Sequence, residues 1–122
     1  MLVPLDAHDG LILDSRSLLR MQNYLTPAGF REIVEDFKSA LEQRLGDLDM
    51  PGLSTEEFDH VCHDLLNLAG TLGLFELRAA AERLSNLKAH DRLPIEHTAV
   101  EVRNAGARAL SALSEYINAR NL

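Results

Sequence analysis

Apolar residues along this chain recur at steps of three and four, the spacing that gathers one face of a helix. The clearest stripe is Phe30, Ile33, Val34, Phe37, Leu41 and Leu45, with Glu32, Glu35, Asp36, Lys38, Glu42 and Arg44 on the other faces. Thr26-Pro27 marks its start, a capping hydroxyl followed by proline at the first helical position. Gly46 is the expected C-terminal cap. A shorter pattern precedes it. Asp14 or Ser15 caps a helix reaching about Tyr24, with Leu18, Leu19, Met21 and Leu25 as its apolar face. Residues 1–13 read as a loosely structured arm, because Pro4, Asp6, Asp9 and Gly10 follow no period. Within it, Leu11-Ile12-Leu13 can tuck against the helices.

The stretch from Phe58 to Leu87 reads as a helix, a glycine-marked turn and a second helix. Ser54-Thr55-Glu56-Glu57 matches a capping box that opens the first of these. On a wheel of about 100° per residue, Phe58, Val61, Cys62, Leu65, Leu68, Ala69 and Leu72 share one side. His63 falls nearly opposite, flanked by Asp59, His60, Asn67 and Gly70. The pattern resumes with Leu77, Ala81, Leu84 and Leu87, and the small residues Ala79 to Ala81 allow close helix approach. His90 to Leu93 reads as a loop, and Pro94 sets the start of a last helix over about Ile95 to Ala119. Gly106 inside it costs up to ~1 kcal/mol against Ala, which a tight helix crossing would explain. Short connections place sequential helices antiparallel. The pattern predicts one all-α domain over residues 1–122, an antiparallel up-down four-helix bundle with a short N-terminal accessory helix.

Composition narrows the function. The 122 residues suffice for one core, and 46% hydrophobic content with only 5% aromatic suits close-packed helices. A formal charge of -7 with no basic stripe disfavours nucleic acid and anionic membranes. The single Cys62 excludes an internal disulfide and fits a reducing compartment. The N-terminus lacks a basic segment followed by an apolar run. No stretch approaches the ~20 apolar residues that span a bilayer. A cytoplasmic location is expected.

His63 is the residue around which candidate chemistry gathers. Its wheel position leaves an imidazole exposed on a rigid helix, and imidazole ordinarily titrates near ~6.5. The run His63-Asp-Leu65-Leu66-Asn67-Leu-Ala69-Gly70-Thr71-Leu72-Gly73 resembles the signature of histidine-containing phosphotransfer (HPt) domains, the carriers of two-component phosphorelays. That signature is His-x-Leu-Lys-Gly-[Ser/Ala]-[Ala/Ser]-x-x-[Leu/Ile/Val]-Gly. Leu77, Ala80, Ala81 and Leu84 continue the pattern through the next helix. Leu66 stands where the family has Lys, and Asn67 where it has Gly.

The resemblance implies a helical bundle and a phosphoacceptor at His63. It makes the chain an intermediate in histidine phosphotransfer rather than a turnover enzyme. The implied partner is the receiver domain of a response regulator, a hybrid histidine kinase, or both. The receiver supplies the aspartate and the Mg²⁺, and the carrier itself needs no cofactor. Positioning and charge stabilisation dominate phosphoryl transfer, so a carrier's own site can be sparse. The family Lys lies one turn beyond the His and can neutralise phosphoryl oxygens, which Leu66 cannot do. Arg78 is a candidate for restoring that charge. His60, Leu66, Asn67, Gly70, Leu74, Phe75 and Arg78 are the expected site-flanking and partner-binding residues. A monomer is expected in preference to a homodimer.

Other readings compete. His60, one turn earlier, also points outward, but it puts the downstream Leu and Gly out of register. Glu57-x-x-His60 has the spacing of di-iron bundles, yet those need a second such motif projecting inward, so no metal site is expected. A docking module on the same scaffold would bind a receiver or kinase without transfer, using Leu66, Leu74 and Phe75 as an apolar patch. A helical interaction domain unrelated to signalling is the third reading.

Overall fold

The computed structural model describes residues 12–50, 52–87 and 92–120, with side chains of the last range described from residue 95. Among these residues the chain forms five helices and no strand. They are α1 (Ser15–Tyr24), α2 (Pro27–Asp47), α3 (Thr55–Leu72), α4 (Phe75–Ser85) and α5 (Arg92–Ala119). Most of the expected arm, and His90 in the expected loop, lie outside the described residues.

Each of the first three helices begins on the residue its chemistry predicts. The Asp14 carboxylate accepts from the Arg16 N–H, and the Thr26 hydroxyl accepts from the Gly29 N–H. At α3 the capping box closes both ways. The Glu57 N–H donates to Ser54 Oγ at 3.1 Å, and the Ser54 N–H donates to Glu57 Oε1 at 2.9 Å. Each cap satisfies backbone N–H groups that a first turn leaves unpaired. The Ser54 backbone N–H, with its hydroxyl, holds the Glu57 carboxyl below the usual range.

Two boundaries differ from the pattern. Gly46 is not the cap of α2, which continues to Asp47 and ends on a right-handed Leu48. Tight bonds from Asp49 N–H to Gly46 O and from Met50 N–H to Asp47 O finish the turn. Arg44 Nη1 also meets Asp47 Oδ2 at 3.0 Å, so no left-handed residue is required. Helix α5 begins at Arg92, ahead of Pro94, so Arg92 and Leu93 are helical rather than loop. A proline in the first turn removes no intrahelical bond. On α1, Leu19 faces outward and is 47% exposed, while Leu18 is fully buried.

The core is a single cluster that includes Leu18, Phe30, Leu41, Leu65, Leu77 and Leu113. Ile12 and Leu13 also belong to it, so the end of the expected arm is packed into the structure. Helix α2 packs on α3 and α5, α4 packs on the same two, and α1 lies against α2 and α3. Lys38 Nζ donates to Ser114 Oγ at 2.8 Å, and Arg103 pairs with Asp49 at 2.7 Å. Between α4 and α5, Arg108 pairs with Glu76 at 2.7 Å and Arg83 with Glu101 at 3.2 Å. Exposed pairs of this kind contribute about 0–1 kcal/mol each. No described helix is long and apolar enough to cross a membrane.

Two glycines stand at close contacts, one against a side chain and one against backbone. A Cβ on Gly106 would come within 2.4 Å of Leu45 Cδ1, which accounts for glycine inside α5 where it meets α2. Gly73 caps α3 in the left-handed region at φ 72°. Its carbonyl accepts from the Asp14 N–H at 2.7 Å, and a Cβ there would stand 2.6 Å from the Asp14 carbonyl. At Gly46, by contrast, a Cβ would meet nothing within 4 Å, and φ is not positive.

These environments predict opposite effects. Gly73→Ala is expected to lose roughly 2–4 kcal/mol, combining left-handed strain with backbone overlap. Gly46→Ala is expected to gain about 0.5–1 kcal/mol by restoring helix propensity. Urea unfolding midpoints compare the two, and equal midpoints would remove the Gly73 argument.

Candidate functional site

Helix α3 buries Val61, Cys62, Leu65, Ala69 and Leu72 and half-buries Phe58 and Leu68. This is the apolar side of the wheel. The opposite side carries His63, which is exposed and makes no hydrogen bond or ion pair among the described residues. Asp59, His60, Asn67 and Gly70 are exposed around it. The ladder of α3 runs from a closed capping box to the Gly73 turn, so the imidazole is carried on a helix anchored at both ends.

The two histidines differ in their surroundings. His60 Nε2 lies 3.6 Å from Asp64 Oδ2. The same Asp64 oxygen is 2.9 Å from Arg44 Nε, so α2 reaches across to α3 beside the histidines. Arg44 is thereby engaged by Asp47 and Asp64 together. A carboxylate facing His60 Nε2 opposes arrival of an anion at that nitrogen. His63 has no such carboxylate in contact. A shallow groove lined by Arg44, Asp47, Glu56, Glu57 and His60 runs on the α2 side of α3, and His63 does not line it. Neither Arg44 nor Asp64 was marked by the sequence pattern, because their meeting depends on how α2 packs on α3.

The remaining expected site residues separate into two groups. Asn67, Gly70, Phe75 and Arg78 are exposed, with Phe75 at 42%. The Arg78 side chain makes no hydrogen bond or ion pair among the described residues. Leu74 is fully buried and cannot form part of a docking patch. It is the N-cap of α4, its N–H donates to Ala69 O at 2.8 Å, and its side chain enters the core. Leu66 is half-buried and packed against the core. The expected patch of Leu66, Leu74 and Phe75 therefore reduces at the surface chiefly to Phe75.

Gly70 is the informative member of the exposed group. It lies inside α3 without a positive φ, and nothing stands within 4 Å of where its Cβ would be. The fold does not require glycine there, and glycine weakens a helix interior by about 0.5–1 kcal/mol. Its backbone leaves open space on the side that carries His63.

Cys62, adjacent to His63 in sequence, points the other way. Burial, with a smaller contribution from Asp59, pushes its thiol up to about 11. A thiol in that state is unreactive at neutral pH. Native protein is expected to leave Cys62 unmodified by Ellman's reagent at pH 7.5, with one equivalent titrating after denaturation in guanidinium. Gly70→Ala is expected to raise the urea midpoint by an amount equivalent to about 0.5–1 kcal/mol. A lower midpoint would instead show that the fold requires glycine there.

No protein-family model, curated protein or solved structure matches this chain.

Proposed function

We propose that this protein is a phosphorelay carrier that accepts a phosphoryl group on His63 and passes it between receiver-domain aspartates. The observation that carries the reading is the solvent-exposed imidazole of His63, without a partner among the described residues, at the middle of a helix capped at both ends. The likeness of its flanking run to the HPt signature supports the same reading, as does the open surface at Gly70.

The architecture in this proposal is an antiparallel up-down four-helix bundle of α2 to α5 with α1 as accessory. Two observations support it. The four helices make a closed ring of contacts in chain order. Lys38 of α2 meets Ser114 of α5, and Asp49 in the turn just after α2 meets Arg103, so residue numbers rise along one helix as they fall along the other. Between α4 and α5, Glu76 meets Arg108 and Arg83 meets Glu101 in the same sense.

An exposed histidine outside the groove suits a reaction in which the partner brings the rest of the machinery. The receiver of a response regulator or hybrid kinase contributes the aspartate and the Mg²⁺ that neutralises phosphoryl charge. This chain contributes the nucleophile, its rigid placement and room for the partner at Gly70. Phosphoryl transfer depends mainly on positioning and charge. The carrier works as a monomer. The proposed location is the cytoplasm, which the unpaired Cys62 suits.

The test is incubation with a panel of receiver domains charged from radiolabelled acetyl phosphate, alongside His63→Gln and His60→Gln. An acid-labile, base-stable label lost only in His63→Gln is the expected result, with circular dichroism and melting nearly unchanged in both variants. Receiver binding without label would make the chain a docking module of the same bundle. Absence of both label and binding would leave a helical domain outside signalling.

A further inference from the structure

The charge around His63 is one-sided. Helix α3 carries Glu56, Glu57, Asp59 and Asp64 and no Lys or Arg. Glu57 is occupied in the capping box and Asp64 is held by Arg44. Glu56 and Asp59 are exposed and make no ion pair among the described residues. Both lie on the N-terminal side of His63, and Asp59 is one turn before it. A helical side chain leans back over the turn that precedes it. A phosphoryl group on His63 would therefore extend toward Asp59 and Glu56.

The candidate cations do not reach that position. Leu66 is packed against the core. Arg44 is held between Asp47 and Asp64, a cluster whose net charge is itself negative. Arg78 lies near the start of α4, just beyond the Gly73 turn. Helix rise puts it roughly 10 Å from the level of His63 along the α3–α4 hairpin, and the two side chains lean in opposite directions. Arg78 thus does not supply the charge that the Leu66 position lacks.

Resting on the carrier reading above, we infer that Glu56 and Asp59 raise the transfer potential of phospho-His63, so that this carrier is a donor biased to discharge to a receiver aspartate. In that step the N–P bond breaks and its electron pair returns to the ring nitrogen. The ring is left neutral because its other nitrogen carries a proton. A carboxylate oxygen of the receiver forms the new O–P bond, and the phosphoryl group keeps its charge in an acyl phosphate. The departing dianion leaves the repulsion of two carboxylates behind. At surface distances of about 6–10 Å and physiological salt, each carboxylate shifts the equilibrium by about two- to threefold.

The experiment uses a receiver that loads the wild-type chain. The equilibrium ratio of label on carrier and receiver is measured for wild type and for the double variant Glu56→Gln, Asp59→Asn, across 20 to 500 mM NaCl. The expected result is a shift toward phospho-His63 in the double variant of about fivefold at physiological salt, larger at 20 mM NaCl and converging with wild type at 500 mM. An unchanged ratio with normal loading overturns the donor bias and leaves the carrier reading intact. A shift that persists undiminished at high salt overturns the electrostatic cause. If no receiver labels the wild type, the carrier reading falls and this inference falls with it.

Discussion

The contact between Gly73 and Asp14 ties the cap of α1 to the turn that joins α3 to α4. Gly73 ends α3 in a left-handed conformation that only glycine adopts without strain, and its carbonyl holds the N–H of the residue that caps α1. One turn therefore stops α3, releases the chain into α4 through Leu74, and holds the cap of α1 against the end of α3. A side chain at this position would strike backbone rather than a yielding side chain. The adjacent apolar residues Ile12, Leu13, Leu72 and Leu74 are all buried, so the junction is part of the core.

With that end anchored and the other closed by the Ser54–Glu57 box, α3 presents its outer face as a rigid strip. The strip contains a histidine and two acids without partners among the described residues, and a glycine that the fold does not need. The other histidine, His60, lies against a carboxylate that α2 holds through Arg44. Two imidazoles one turn apart on the same surface are thus made chemically different by the packing of a neighbouring helix. In the proposed carrier that asymmetry leaves His63, and not His60, clear of any ion pair among the described residues.

The departures from the HPt pattern gain a physical meaning here. Leu66 is a packing residue at the rim of the core, so a lysine there would have to give up apolar contact in order to reach solvent. In the proposed carrier, neutralisation of a phosphoryl group on His63 would fall to the partner. So sparse a site suits the proposed transfer between proteins, in which a receiver's ion and aspartate would complete it on contact.

Local pattern was enough to place the helices, their first three starts and most of the buried side of each. Capping chemistry and three- to four-residue periodicity act over a turn or two, so Asp14, Thr26 and Ser54 were legible as caps and His63 as outward-facing. Helix ends were less legible. Gly46 carries the residue type of a terminus, but whether it serves as one depends on Arg44, Asp47 and the bonds that follow. The burial of Leu74 came from packing between helices, since a residue at a turn belongs to no periodic face. Packing also brought Arg44 to Asp64, because no spacing along one chain encodes which residues meet across two helices. The need for glycine at Gly73 and the close approach of Leu45 to Gly106, against the open space at Gly46, likewise follow from what stands beside each backbone, which a one-dimensional pattern does not contain.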